Sequence, residues 1–175
     1  MDKLRYPIGL FEPSLDNSDE FREKLIKLLP EISETLKRIT KKLTREQLLV
    51  PYRLDGWTIQ QIIHHMADND MNAFIRFKRA LTEDEPVASS YREDLWAELS
   101  DYQDAPIEVS IRLLEAIHNR FYKLLIGLRS EDFNKKFRTQ LLGTITTGVA
   151  LQRFIWHNQH HIAQIESLIN RMEWV

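Results

Sequence analysis

The sequence predicts an all-α domain built as a four-helix bundle. Four long segments repeat apolar residues at intervals of three and four, the signature of amphipathic helices. No segment shows a convincing strand alternation, and only five glycines interrupt the 175 residues. Hydrophobic residues make up 43% of the chain, and a chain of this size buries roughly 70% of the surface its unfolded form exposes. One core is therefore feasible without staples, and with no cysteine there is no disulfide to supply one. Residues 1–175 read as a single domain without repeats.

The first helical segment starts at Ser18 and carries Phe21, Leu25, Leu28, Leu29, Ile32, Leu36, Ile39 and Leu43. Pro30 lies inside it, so a kink or break is expected near Leu29. Thr44 and Gln47 form a capping-box pattern that starts a short turn before Pro51. Gly56 and Trp57 lead into Thr58, whose hydroxyl caps the second long helix while Gln61 reaches back, and the helix runs to about Leu81. Residues 83–105, richer in Pro, Ser, Asp and Glu, read as a connection with one short helix around Glu93 to Leu99. Pro106 suits a first helical position, and Ser110, Leu114, Ile117, Phe121, Leu124, Leu125 and Leu128 stripe the third long helix. One turn is expected at Ser130 to Phe133, followed by an irregular or hairpin-like connection from Lys135 to Thr147 with Gly143 near its end. The last helix spans about Thr147 to Arg171 and carries Leu151, Phe154, Ile155, Ile162, Ile165 and Ile169. Two long connections leave the order of helices around the bundle open.

Composition narrows the chemistry. With 24 basic and 26 acidic side chains interspersed, the chain offers no electrostatic footprint for nucleic acid or an anionic membrane. A small molecule or a protein is the expected partner. Zero cysteine excludes protein thiolate nucleophiles, zinc–thiolate sites and iron–sulfur clusters, so any metal is held by nitrogen or oxygen. The N-terminus lacks the features of a signal peptide, and no apolar run approaches the roughly eighteen residues of a membrane span. A cytoplasmic protein starting at Met1 is expected.

The six histidines are unevenly placed: His64 and His65 form one cluster, and His157, His160 and His161 another. Each helical residue advances about 100° around the axis. His64 then projects roughly 150° from the centre of its buried stripe and His65 roughly 110°, so His64 faces solvent and His65 can lean inward. His157 and His161, four apart, share one flank of the last helix, whereas His160 falls nearly opposite the core. The pair offers two imidazoles to one ion by the spacing logic of HExxH, but Asn158 stands where that motif has its glutamate, which argues against a metalloprotease. His65 from a facing helix completes a three-histidine site with positions left open for water or substrate. The competing reading makes these ordinary flank histidines.

Asp70 points to the centre of its apolar stripe and needs a partner there. Either it pairs with an arginine such as Arg153, or it holds a ligand histidine by the other ring nitrogen. Asn158 is a candidate for the same supporting role, and His118 reads as a satisfied core or supporting histidine. Asn69, Asn72 and Arg76 continue the flank of His65; Arg76 either attracts an anionic substrate group or belongs to a solvated face. Trp57 and Trp156 read as core or pocket walls.

YPIG at residues 6–9, the PYR and GWT of residues 51–58, HHMAD at 64–68, IRFK at 75–78 and WHNQHHIAQI at 156–165 together resemble the DinB-like superfamily, and within it the YfiT-like bacterial metal-dependent hydrolases. The resemblance covers nearly the whole chain and implies an up-down-down-up bundle. It implies metal ligands at a histidine early in the second helix, before a hydrophobic residue and Ala, and at two histidines four apart in the last; here these are His65, His157 and His161. It further implies one Zn²⁺ or Ni²⁺ per subunit and a homodimer. The implied chemistry is either hydrolysis, the ion lowering the pKa of bound water from about 15.7 towards 7, or transfer of a low-molecular-weight thiol such as bacillithiol to a small electrophile, the ion deprotonating the thiol. The catalytic group is in either case the activated water or thiolate. Two rivals stand beside these: a non-enzymatic interaction module, and a structural metal site closed by His118 or Asp70.

Overall fold

Local capping sets where each helix begins. The computed structural model describes residues 2–174; the expected start at Met1 lies outside them. Ser18 accepts the amide of Phe21 to start α1 (Asp19–Lys27). The chain breaks at Leu28, and α2 (Leu29–Thr40) resumes with Pro30 in its first turn, where the missing N–H costs nothing. Thr44 with Gln47 makes a capping box for α3 (Arg45–Leu48), and Thr58 with Gln61 makes another for α4 (Ile59–Thr82). The connection contains α5 (Glu93–Trp96) and also α6 (Ser100–Asp104), which the sequence pattern had not marked. Pro106 is the cap of α7 (Ile107–Ile126) and not its first residue. A 3-10 turn at Ser130–Asn134 leads to the hairpin β1 (Lys136–Thr139) and β2 (Gly143–Thr146), then α8 (Thr147–Arg171). Gly143 closes the hairpin with φ 65°, a left-handed conformation that favours glycine.

Side-chain pairs fix the helix directions. His64 meets Ser110, Asp70 meets His118, and Phe77 meets Phe121, so α4 and α7 run parallel. His65 and Asn69 both meet residues of α8 in decreasing order, His161 then His157, so α8 is antiparallel to α4. The long helices α2, α4, α7 and α8 therefore form the up-down-down-up bundle. Two parallel neighbours, α4 and α7, need a long crossover, which is what residues 83–106 supply. The core runs between the four helices, with Phe121 edge-on to both Phe77 and Phe154 and with Leu36, Ile63, Met66 and Leu114 fully buried. Among the described residues, no helix is long and apolar enough to cross a membrane.

Two segments lie over polar faces of the bundle, and they overturn two expectations. His64 is buried, not solvent-facing: the crossover packs on the stripe Gln60, His64 and Asp68. Gln60 donates to the carbonyls of Tyr102 and Gln103, the Tyr102 ring sits edge-on to His64, and its hydroxyl donates to Asp68 at 2.7 Å. The Ala105 carbonyl can only accept, so Nε2 of His64 carries the proton and Nδ1 accepts from Ser110 at 2.7 Å. His160 is likewise buried, because residues 5–14 run antiparallel along α8. That N-terminal strap places Ser14 on Gln152, Phe11 on Trp156, Tyr6 on His160 and Arg5 on Gln164.

Candidate metal centre

Helical spacing brings His157 and His161 to one edge of α8, and the antiparallel packing of α4 sets His65 opposite them. Nε2 of His157 lies 3.2 Å from Nε2 of His65 and 3.2 Å from Nε2 of His161. Metal–nitrogen bonds of roughly 2.0–2.1 Å meeting near the tetrahedral angle set donors about 3.3 Å apart. Two of the three donor pairs thus have the spacing of neighbouring corners of one coordination sphere, and the third pair lies within 4.8 Å. Among the described residues, His65, His157 and His161 are the group so disposed. Each contributes a donor atom within 4.8 Å of the others.

Protonation suits the arrangement. Burial pushes the His65 ring down to about 4. His157 and His161 are held well below the ordinary imidazole value by burial first; repulsion comes second, from His161 on His157 and from His65 on His161. At neutral pH all three are uncharged, the state in which imidazole ligates. The supporting contacts are unequal. Gln164 Oε1 accepts from Nδ1–H of His161 at 2.8 Å, which leaves the Nε2 lone pair aimed at the cluster. The amide nitrogen of Gln164 donates to the Arg5 carbonyl and to Nε2 of His160. The amide nitrogen of Asn69 lies 3.2 Å from Nδ1 of His157 and also donates to Asp70 at 3.2 Å, so the nitrogen and not the oxygen of this amide faces the ring. Nδ1 of His65 is buried without a hydrogen-bond partner; its ring is instead held by Trp57, with centroids 4.6 Å apart.

Asp70 follows neither alternative read from the sequence. It is fully buried, but its partners are His118 at 2.7 Å and Asn158 at 3.1 Å, with Asn69 at 3.2 Å; Arg153 is not among them. It reaches His157 only through Asn69. Asn158 and His118 belong to this carboxylate and not to the triad, so neither His118 nor Asp70 supplies a fourth donor. Arg153 is drawn elsewhere because it precedes His157 by one helical turn and shares its face, at the edge of a cavity.

That cavity, about 450 Å³, adjoins His157 and includes Asn69, Arg76, Tyr91 and Arg153 in its wall. Two of the residues expected to line a pocket, Asn69 and Arg76, are there. Trp57 is not, since it covers the far side of the triad against His65 and His161. Sequence reasoning missed Gln164 and the pocket role of Arg153. Both carried a spacing signal, Gln164 three residues after His161 and Arg153 four before His157, on the faces those histidines occupy.

The family model of the DinB superfamily matches residues 28–165. A Bacillus cereus protein named "Putative metal-dependent hydrolase" is 40% identical over 174 residues, 99% of this chain and 100% of the relative. A Bacillus anthracis protein of the same name matches to the same extent. The solved structure of YfiT from Bacillus subtilis, described as a probable metal-dependent hydrolase with an unusual four-helix bundle topology, superposes with a TM-score of 0.96. It shares 40% identity and covers 99% of both chains. By the family model and by these full-length relatives alike, the chain belongs to the DinB superfamily.

Proposed function

We propose that the chain is a metal-dependent hydrolase in which Nε2 of His65, His157 and His161 hold one divalent ion, zinc or nickel. The observation that carries the reading is the convergence of three neutral imidazoles at 3.2 Å contacts; the names of the full-length relatives support the reaction class. A divalent ion held by these residues would supply Lewis acidity, bringing the pKa of a bound water towards about 7. The chain's own residues supply the rest. Burial keeps all three rings neutral, and Gln164 holds the His161 proton on Nδ1, so Nε2 of that ring is free of a proton. Gln164 orients His161, Asn69 orients His157, and Trp57 closes the far side. His157, the least buried of the three, faces the cavity, so a small-molecule substrate approaches from there.

Metal analysis of tag-free protein tests the site, with His65→Ala and His157→Ala alongside. The wild type is expected to carry one divalent ion per chain and the variants to lose it; equally little metal in all three overturns the reading. Incubating the loaded protein with ester and amide panels, with and without low-molecular-weight thiols, tests the reaction. A product that incorporates the thiol makes the thiol and not water the nucleophile, and the hydrolase assignment then fails.

A further inference from the structure

The cavity beside His157 combines two features that the metal site does not use. One is cationic. Arg76 and Arg153 both stand in its wall, each half-buried. Among the described residues, the Arg153 guanidinium makes no hydrogen bond or ion pair within 4.0 Å and rests instead over the rings of Phe11 and Trp156. Arg76 gives one terminal nitrogen to the Ser89 carbonyl at 2.7 Å, while its Nε is buried without a partner. The other feature is apolar: Phe77, Phe137 and Phe154 face the same space. Glu93 is the acidic residue in this wall, so two guanidinium groups face one carboxylate. Burial lowers the pKa of both arginines, and for Arg153 the nearby Arg76 adds to this while Glu93 opposes it. A site built this way is short of negative charge, and a cavity of this size falls within the range that takes small ligands.

We infer that this cavity binds a small organic anion, its carboxylate or phosphate head at Arg153 and Arg76 and its apolar body on Phe77, Phe137 and Phe154. The inference names the substrate class of the hydrolase proposed above and rests on that reading for the chemistry, although binding itself requires no metal. An anion seated there shares the cavity with His157, the member of the triad that lines its wall. Guanidinium suits both oxyanions because its planar donors engage two oxygens at once.

The test uses the full chain after chelator treatment, with binding followed by calorimetry or by ring-proton NMR. The probes are 3-phenylpropanoate, phenyl phosphate, inorganic phosphate, and 3-phenylpropanamide as the uncharged shape control. The inference expects saturable binding of at least one organic anion, with the amide at least about tenfold weaker, a difference of about 1.4 kcal/mol. Tighter phenyl phosphate identifies a phosphate head and tighter phenylpropanoate a carboxylate head. Inorganic phosphate binding as tightly as the organic anions removes the apolar half of the inference. Arg153→Gln is expected to lose about tenfold for the anion and nothing for the amide, and Arg153→Lys, which keeps the charge, to recover part of that loss. Equal binding of acid and amide by the wild type, or undiminished anion binding by a folded Arg153→Gln chain, overturns it. Zinc uptake is measured on the same preparation. Anion binding without zinc uptake removes the hydrolase reading alone, and zinc uptake without charge-selective binding removes this inference alone.

Discussion

Gln164 accepts the Nδ1 proton of His161 at 2.8 Å, and its amide nitrogen reaches the carbonyl of Arg5 at the other end of the chain. One side chain thereby ties the tautomer of an imidazole of the proposed metal triad to the N-terminal strap. The consequence is a measurable contribution to metal affinity from a residue that touches no metal. Gln164→Leu removes the acceptor and leaves Nδ1 buried without a partner. Zinc affinity, read by competition with a chromophoric chelator, is expected to fall by about 10- to 100-fold. Gln164→Glu restores an acceptor for Nδ1 but loses the donor to the Arg5 carbonyl, and is expected to recover part of that loss. Equal affinity in the wild type and Gln164→Leu would show that the contact orients nothing.

The pH dependence of stability follows from the same cluster. The His65 pKa is depressed to about 4 against an ordinary 6.5, so between these values the unfolded chain binds a proton that the folded chain refuses. Stability contributed by keeping His65 neutral is complete above about pH 6.5 and lost as pH falls towards 4, by about 3 kcal/mol at pH 4. His157, His161 and His160 are all depressed, chiefly by burial, and add losses of the same sign. Urea unfolding of chelator-treated protein is expected to show a midpoint that declines from pH 7 to pH 4.5. A flat or rising midpoint contradicts the burial of neutral imidazoles.

Asp70 anchors the polar interior. It joins α4 to α7 through His118 and to α8 through Asn158, in a region otherwise packed with apolar side chains. Asp70→Ala strands two buried partners and is expected to destabilise the fold by about 3–5 kcal/mol. The double variant Asp70→Leu with His118→Leu removes both ends of the pair and is expected to recover a large part of that loss. Denaturant midpoints of Asp70→Leu, His118→Leu and the double variant check this. Additive losses would mean that the carboxylate and the imidazole do not act on one another.

Helix starts and ligand spacing were legible because both depend on residues close in sequence. Thr44 and Thr58 cap as expected, the first helix starts at Ser18, Pro30 coincides with the break after α1, and the four-residue spacing of His157 and His161 places both rings on one edge. The burial of His64 and His160 was not legible from the helices that carry them. Each sits in a polar stripe of four-residue spacing, Gln60–His64–Asp68 and Gln152–Trp156–His160–Gln164, which by periodicity alone is a solvated face. What covers the stripes comes from far along the chain: the crossover on the first, and on the second the strap, whose Ser14 meets Gln152 across 138 residues. The signal present was an amide at the end of each stripe, Gln60 in the first and Gln152 and Gln164 in the second, whose donors and acceptors satisfy the backbone of an overlying segment.

The crossover's attachment yields a prediction that separates local from global effects. Gln60 donates to the carbonyls of both Tyr102 and Gln103 at 2.8 and 2.9 Å, while Gln61 donates to that of Ala97 at 3.0 Å. These carbonyls lie at α6 and just after α5, helices too short to satisfy their own ends. Gln60→Leu keeps the side chain's bulk but leaves two carbonyls unbonded, at a cost of about 1–3 kcal/mol. Because α4 retains its apolar packing against α7, that loss falls on the crossover and not on the bundle. Hydrogen exchange is expected to quicken across residues 91–105 and to stay unchanged in the centres of α2 and α7. Tyr91 and Glu93 line the cavity from this same segment, so loosening it also loosens the cavity wall beside Arg153. Exchange that quickens uniformly through the bundle would mean that the crossover is an integral part of the core and not a cover laid over it.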